Sequence, residues 1–332
     1  MRERLKSIDM LRGLAAAAVV LRHSDDRFLV GSIGVDFFFV ISGFVMANLY
    51  RTRSASQFLF DRAWRIFPIY WIALLPWLIV RVADGSGITV QGTLVSALLI
   101  PNWFGISGTY LGVAWTLLFE LLFYVGVALA IRLGGLIVPA LLFTIAIIAR
   151  PYVDVTLLYF LGSPMIFEFL FGVVIARAPI NRIAGAVLLF AGALWLILFP
   201  NSWLEDYRVA FSYGPAAQRV ILWGLPAAAI VYGTLSVERL LKGRIVDALL
   251  ILGASSYSVY LIHTLITKNF VLWWPVEFLL AIAAGIALWW AVERPLLALK
   301  PRLFQSRAKP VSSEPAPTAP IQSGSARLPD GR

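Results

Sequence analysis

Ionisable residues inside long apolar runs are the first candidates for chemistry in this sequence. Arg12 and His23 lie eleven residues apart in one such run. On a helix this spacing is about 20° beyond three full turns and about 16 Å along the axis, so both side chains share one face. That face would carry a fixed cation and a titratable imidazole. The alternative pairs Arg12 with Asp9 and leaves His23 at the polar end of the run.

Three acidic residues also lie in apolar surroundings. Asp36 is predicted to orient an imidazole or to pair with an arginine, and an interfacial acid is the alternative. Glu120 needs an arginine, a histidine or a proton, because WTLLFELLFY offers it little polar company. We therefore predict a functional or paired role for Glu120. For Glu168 we expect a structural pairing.

Two further groups could contact ligands. Arg62 and Arg65 are three residues apart, and guanidinium groups at this spacing can bind phosphates. The alternative is simple anchoring at a membrane surface. In SSYSVYLIH, Ser256, Tyr260 and His263 form one polar stripe on an apolar helix. We expect this stripe to line a cavity, although a satisfied structural histidine is the alternative.

The composition places these residues in a membrane protein. The chain has 332 residues, of which 60% are apolar or aromatic and 14% are charged, against about 25% charged in soluble domains. This excludes a soluble enzyme, a disordered protein and a nucleic-acid-binding protein despite a net charge of +10. With no cysteine and two histidines, disulfides and thiolate catalysis are excluded and no metal site is predicted.

Apolar segments predict an all-α, polytopic fold of about ten transmembrane helices. With the N-terminus inside, 20 of the 28 Lys and Arg residues fall on the cytoplasmic side and seven outside, Arg12 being within the membrane. This bias predicts an N-in, C-in topology. Residues 1–304 are predicted to form the membrane domain and the Pro-, Ser- and Ala-rich residues 305–332 a disordered cytoplasmic tail. The ten predicted segments are 8–24, 33–50, 66–82, 113–131, 134–149, 157–176, 183–199, 219–236, 250–267 and 273–292.

Six stretches in register resemble the acyltransferase-3 family of integral-membrane acyltransferases. The first four are similar in form to the branch that acylates bacterial exopolysaccharides. In family order, the stretches are Ile8–His23, Gly34–Phe44, Arg62–Trp71, Trp115–Tyr124, Ser256–His263 and Glu293–Pro295. The family's motif residues fall on Arg12 and His23, on Arg62 and Arg65, and on Trp115, Glu120 and Tyr124.

The resemblance implies a membrane-bound O-acyltransferase of the bacterial inner membrane. Such an enzyme moves an acyl group, typically acetyl, from cytoplasmic acyl-CoA to a hydroxyl of a cell-envelope or exported carbohydrate. Acyl-CoA is then a donor substrate, and no permanently bound cofactor is expected. The implied partners are a carbohydrate or lipid-linked carbohydrate acceptor, the lipid bilayer and polysaccharide biosynthesis proteins, with no nucleic acid.

The resemblance also implies roles for individual residues. Arg62 and Arg65, helped by Arg12, would bind the CoA phosphates. His23 would remove the proton of the acceptor hydroxyl, with an acyl-histidine intermediate as the other option. Asp36 or Glu120 would orient His23. Substrate contacts are expected from Trp115, Tyr124, Tyr260 and His263.

Two functions other than an enzyme remain open at this point. A transporter or flippase for a carbohydrate or lipid-linked substrate would also contain intramembrane charges. The lack of an internal repeat and the six motifs count against it. A structural scaffold explains neither the Arg12–His23 face nor Glu120.

Overall fold

The computed structural model describes residues 5–50, 52–100, 109–153, 156–200 and 202–300, all within one compact unit, Met1–Lys300. Regular structure in these residues is entirely helical. The predicted tail, 305–332, lies outside the described residues. The α-helices are α1 (Lys6–Ser24), α2 (Gly34–Leu49), α3 (Ala55–Ala83), α4 (Val90–Leu98), α5 (Trp115–Leu133), α6 (Ile137–Ala149), α7 (Thr156–Leu161), α8 (Ile166–Ile175), α9 (Arg182–Leu198), α10 (Tyr213–Arg219), α11 (Leu225–Ser236), α12 (Arg244–Asn269), α13 (Trp274–Leu288) and α14 (Arg294–Ala298).

Short turns of other helix types connect several of these elements. A 3₁₀ segment, Asp26–Ile33, joins α1 to α2. Single π-helical turns, Val220–Gly224 and Trp289–Glu293, join α10 to α11 and α13 to α14. These π turns keep the flanking helices continuous, so each pair forms one long helical segment.

Each of the ten predicted segments contains helix, but several boundaries differ, two of them markedly. The segment 157–176 is divided into α7 and α8. The third helix starts at Ala55 rather than near residue 66, because Ser54 and Gln57 form a capping box that satisfies its first turn.

Among the described residues, six helical segments are long and apolar enough to cross a membrane. The helix α1 is more polar because it contains Lys6, Asp9, Arg12 and Arg22. The total of ten crossings and the N-in, C-in orientation stay predictions. The six segments are Asp26–Leu49, Ala55–Ala83, Gly112–Leu133, Tyr213–Ser236, Arg244–Asn269 and Trp274–Ala298.

Helices α1 and α12 pack in parallel through two glycines. A Cβ on Gly13 would lie 2.8 Å from the Gly253 backbone nitrogen, and one on Gly253 would collide with the carbonyl of Asp9. The absence of both side chains therefore lets the two backbones touch. Since both helices rise equally per residue, the Gly13–Gly253 register also brings His23 beside His263, ten residues further along each helix.

A second glycine contact joins α2 to α8. A side chain on Gly43 would meet the backbone of Phe169, and one on Gly172 would meet the backbone around Val40. Next to this crossing, Phe39 stacks on Phe169 with ring centroids 4.6 Å apart. The close approach therefore fixes α2, whose residues face both the aromatic core and the candidate site.

Candidate active site

A cavity of about 120 Å³ lies between α1, α2, α3, α5 and α12. Its lining comes from the first halves of α1, α3 and α5, from α2 and from the middle of α12. Six of the ten sequence-predicted site residues line it, namely Arg12, Arg62, Arg65, Glu120, Tyr124 and Tyr260. Residues separated by more than 240 positions thus contribute to one site.

The three cavity arginines form no ion pair with the residues that the structure describes. Within the described part of the chain, no carboxylate oxygen lies within 4.0 Å of the Arg12, Arg62 or Arg65 guanidinium. The Nε atoms of Arg12 and Arg62 are buried and form no hydrogen bond to the described residues. Arg12, Arg62 and Arg65 therefore all belong to the cavity wall. With Glu120 as the one carboxylate of the lining, the cavity has an excess of positive charge.

Glu120 is held by hydroxyl groups. Its Oε1 accepts short hydrogen bonds from Tyr124, one turn later on α5, and a 3.2 Å bond from Ser42 Oγ on α2. The hydrogen-bond donors to Glu120 are thus two hydroxyl groups, and Arg12 and Arg62 interact with its charge at longer range. The hydrogen bonds fix the carboxylate at the cavity wall.

Tyr260 forms part of the cavity wall. Its hydroxyl lies 3.0 Å from Thr116 Oγ1 and 3.0 Å from the carbonyl oxygen of Val113. The ring of Phe38 stands edge-on to the Tyr260 ring at 5.7 Å. These contacts hold the Tyr260 side chain in place at the cavity wall.

The two histidines of the chain meet beyond Tyr260. The Nε2 atom of His263 lies 3.3 Å from Nδ1 of His23, and the ring centroids are 4.8 Å apart. The side chain of His263 is fully buried, whereas His23 is half-buried. Neither lines the cavity, and His263 follows Tyr260 by less than one helical turn. The arrangement is an arginine cavity on one side and a histidine pair on the other.

Asp25 and Asp26 are the acids closest in sequence to His23. Asp25 accepts hydrogen bonds from Arg27, which hold the pKa of its carboxyl below the ordinary value. Asp26 pairs with Arg22 at 2.9 Å. Both carboxylates are therefore engaged by arginines at the end of α1.

Asp36 and Trp115 lie away from the cavity. Asp36 is fully buried and forms a two-pronged ion pair with Arg219, with distances of 3.0 and 2.7 Å. Of the predicted alternatives, it therefore pairs with an arginine and does not orient an imidazole. Trp115 is part of the aromatic core, where its ring stands edge-on to Phe39 and Phe119.

Sequence reasoning missed Arg219. It is the first residue of the predicted segment 219–236 and counts among the seven on the outer side, whereas the structure buries it and it also donates to the carbonyls of Leu204 and Ser32. The available signal was the need of Asp36 for a cation, but no spacing rule connects two residues 183 positions apart. Glu293 begins the sixth stretch but was given no role; it is buried and accepts a 2.6 Å hydrogen bond from Ser258.

The described residues hold no group of three or more His, Asp or Glu side chains that could bind one metal ion. The chemistry of the site therefore depends on arginines, a carboxylate, hydroxyl groups and imidazoles. This combination can bind an anion and move a proton.

Comparison with known proteins adds an independent finding. An acyltransferase domain of the acyltransferase-3 family matches residues 5–294. The chain is 31% identical to the exopolysaccharide production protein ExoZ of Rhizobium meliloti, over 82% of this chain and 91% of that protein. It is 27% identical to nodulation protein 10 of Rhizobium leguminosarum bv. viciae, over 91% and 95% of the two chains.

A more distant relative is named for its reaction. The chain is 24% identical to the peptidoglycan O-acetyltransferase OatA of Listeria monocytogenes, over 79% of this chain and 49% of that protein. No solved structure matches the chain. Because the domain match covers nearly all of the described residues, the chain is an acyltransferase that belongs to the acyltransferase-3 family.

Proposed function

We propose that the protein transfers an acyl group, acetyl, from cytoplasmic acyl-CoA to a hydroxyl of a cell-envelope or exported carbohydrate, with His23 as the general base. Family membership makes the chain an enzyme, so transport and scaffolding are set aside. The reaction joins a donor from one side of the membrane to an acceptor from the other. We place the protein in the bacterial inner membrane, where polysaccharide biosynthesis proteins would supply the acceptor.

The observation that carries the proposal is the charge of the cavity. Three guanidinium groups share it with one carboxylate, and the described residues supply no further neutralising group within ion-pair distance. Uncompensated charge inside a protein is costly and marks a site for a ligand of opposite charge. CoA fits because its phosphates are anionic and guanidinium groups bind phosphate through paired hydrogen bonds.

The position of the histidines supports a reaction at the far end of the cavity. Arg12 and His23 lie on one face of α1, about 16 Å apart along the axis. The pantetheine arm of CoA is long and thin and can extend from the arginines toward His23. The Tyr260–Thr116 contact lies on this route. The thioester would therefore reach His23 either after the Tyr260 side chain moves or by passing beside its ring.

The hydrogen bond at Nδ1 of His23 makes Nε2 the nitrogen that can accept a proton. Its Nδ1 lies 2.9 Å from the carbonyl oxygen of Val19, which can only accept. Neutral His23 therefore has its proton on Nδ1 and its lone pair on Nε2. In the proposed step Nε2 takes the hydroxyl proton while the hydroxyl oxygen bonds to the thioester carbonyl carbon. The carbon–sulfur bond then breaks, and the imidazolium returns the proton to the CoA thiolate.

The acceptor class comes from the relatives. One is named for exopolysaccharide production and another for O-acetylation of peptidoglycan. Both names concern polymers of the cell envelope or its exterior. A carbohydrate or lipid-linked carbohydrate hydroxyl is therefore the acceptor we propose for this chain.

The test is acetyl transfer in membranes that contain equal amounts of wild-type or His23→Ala protein. After incubation with radiolabelled acetyl-CoA, label is measured in envelope polysaccharide and on the protein itself. We expect polysaccharide label from the wild type and a loss of about 10²- to 10⁴-fold with His23→Ala. Label trapped on wild-type protein would replace general-base catalysis with an acyl-histidine intermediate. Undiminished transfer by a correctly inserted His23→Ala protein would refute the role of His23.

A further inference from the structure

The only two histidines of this chain contact each other although they are 240 residues apart. His23 is near the end of α1, and His263 occupies the matching position on the parallel helix α12. Their rings are inclined by 67° with centroids 4.8 Å apart, and Nε2 of His263 lies 3.3 Å from Nδ1 of His23. The close α1–α12 contact at Gly13 and Gly253 establishes this register. The pairing is therefore a consequence of how the two helices pack.

The hydrogen-bond partners assign the protons on both rings. Nδ1 of His263 lies 2.7 Å from the carbonyl oxygen of Tyr260. A carbonyl oxygen only accepts, so this nitrogen carries the proton and Nε2 of His263 presents a lone pair. Nδ1 of His23 carries a proton for the same reason, since it faces Val19 O at 2.9 Å. With the opposite tautomers, the unprotonated Nδ1 of each histidine would face a carbonyl oxygen, so that two lone pairs would repel each other at Val19 and again at Tyr260.

The Nδ1–H group of His23 therefore has two acceptors. One is the carbonyl of Val19 on its own helix, and the other is Nε2 of His263 across the helix pair. A ring nitrogen held in this way fixes the tautomer and the ring orientation and leaves the opposite nitrogen, Nε2, as the basic atom. The burial of His263 keeps water from replacing it as the second acceptor.

The acids that we expected to orient His23 are bound elsewhere. Asp36 is occupied by Arg219, and Glu120 accepts from Tyr124 and Ser42 at the cavity wall. The group that orients the base is thus an imidazole, whereas in catalytic triads it is usually a carboxylate. Unlike a carboxylate, it adds no negative charge to the donor path.

We propose that His263 is the positioning residue of the general base. It accepts the Nδ1–H of His23, holds that ring in the Nδ1–H tautomer and directs Nε2 toward the acceptor hydroxyl. When Nε2 takes the proton, the Nδ1–H···Nε2 bond becomes charge-assisted and stabilises the imidazolium. The proton stays on His23 until the thiolate receives it, so His263 does not change protonation state. The inference rests on the proposed function, in which His23 is the base.

Two substitutions of His263 separate positioning from packing. In His263→Gln the side-chain carbonyl can occupy the place of Nε2 and accept the His23 proton, whereas His263→Leu fills the space without an acceptor. We expect His263→Leu to lower kcat for transfer of radiolabelled acetyl from acetyl-CoA to envelope polysaccharide by 10-fold or more, with the KM for acetyl-CoA unchanged. His263→Gln should stay within about 3-fold of the wild type. Equal kcat for wild type and His263→Leu would overturn the proposal, as would a folded His263→Gln protein as inactive as His263→Leu.

The tautomers provide a readout that packing alone would not determine. Wild-type protein labelled with ¹⁵N-histidine contains four ring nitrogens, and His23→Ala assigns the two that belong to His263. At about pH 8, above the ordinary imidazole pKa of about 6.5, NMR should show both Nδ1 atoms protonated and both Nε2 atoms unprotonated. A protonated Nε2 on His263 would overturn the proposal even if the leucine variant failed to fold.

The same set of proteins distinguishes failure of this inference from failure of the proposed function. Full transfer by His23→Ala would remove the general base itself, whatever the tautomers. An inactive His23→Ala protein together with a fully active His263→Leu protein would retain His23 as the base and reject His263 as its positioning residue.

Discussion

Arg219 and the three cavity arginines lie in two contrasting environments. Arg219 is 1% exposed, and it forms a two-pronged ion pair with Asp36 and donates to two carbonyl groups. Arg12, Arg62 and Arg65 line a cavity, and no carboxylate among the described residues lies within 4.0 Å of them. A guanidinium whose charge is neutralised by a buried carboxylate stabilises the fold, whereas guanidinium groups without a carboxylate in contact are available to an anionic ligand. The same residue type thus has a structural role in one region and a binding role in the other.

The largest effect is expected from breaking the ion pair of Arg219. Arg219→Ala leaves Asp36 buried without a partner, with Glu168 buried nearby. Removing one partner of a buried pair costs about 3–5 kcal/mol, so the purified variant should unfold at a clearly lower temperature. The double variant Asp36→Asn/Arg219→Gln carries neither charge and should recover part of that loss. Thermal unfolding in detergent measures both, and an Arg219→Ala protein as stable as the wild type would contradict the structural role.

The cavity arginines should show the opposite pattern. Arg65→Ala and Arg62→Ala remove hydrogen bonds to phosphate, each worth about 1.5–3 kcal/mol for a charged group. The Kd for acetyl-CoA should therefore rise about 10- to 150-fold, while the unfolding temperature stays near that of the wild type. Arg132→Ala, at an exposed position at the end of α5, is the matched control and should change neither quantity. Unchanged acetyl-CoA affinity in both cavity variants would show that the cavity does not bind the donor.

The glycine contact that pairs the histidines can be tested independently of charge. In Gly253→Val the new side chain meets the backbone of Asp9, so α1 and α12 must separate or shift. We expect lower stability and a loss of acetyl transfer that exceeds the change in acetyl-CoA affinity. Gly135→Ala, where a Cβ meets nothing within 4 Å, should behave like the wild type. Normal transfer by Gly253→Val would mean that this register is not required.

The smallest effect is expected at Ser42. Ser42→Ala removes one 3.2 Å hydrogen bond to Glu120 and leaves the bond from Tyr124. Because a neutral hydrogen bond contributes about 1 kcal/mol, transfer should fall only a few-fold. A loss as large as that of His23→Ala would instead place Ser42 in the chemistry.

The sequence predicted the cavity better than it predicted the ion pair. Arg12, Arg62, Arg65 and Glu120 are recognisable because each charge interrupts an apolar run and falls on a family motif. The partner of Asp36 was not predictable in this way, because Arg219 is far away in sequence and its placement depends on how α2 meets the segment before α11.

The histidines show the same limit. Helical spacing predicted correctly that Tyr260 would line a cavity, but it could not place His23 beside His263. That contact depends on the close approach of two helices at Gly13 and Gly253, which becomes visible only when both backbones are in place.

The most direct test of the account is to measure acetyl-CoA binding and acetyl transfer on the same purified proteins. The account predicts that His23→Ala binds acetyl-CoA with wild-type affinity but does not transfer the acetyl group. It also predicts that Arg62→Ala/Arg65→Ala stays folded but loses acetyl-CoA binding. Loss of acetyl-CoA binding by His23→Ala would contradict a role of His23 in proton transfer alone. Wild-type acetyl-CoA binding by the double arginine variant would contradict the assignment of donor binding to the arginines.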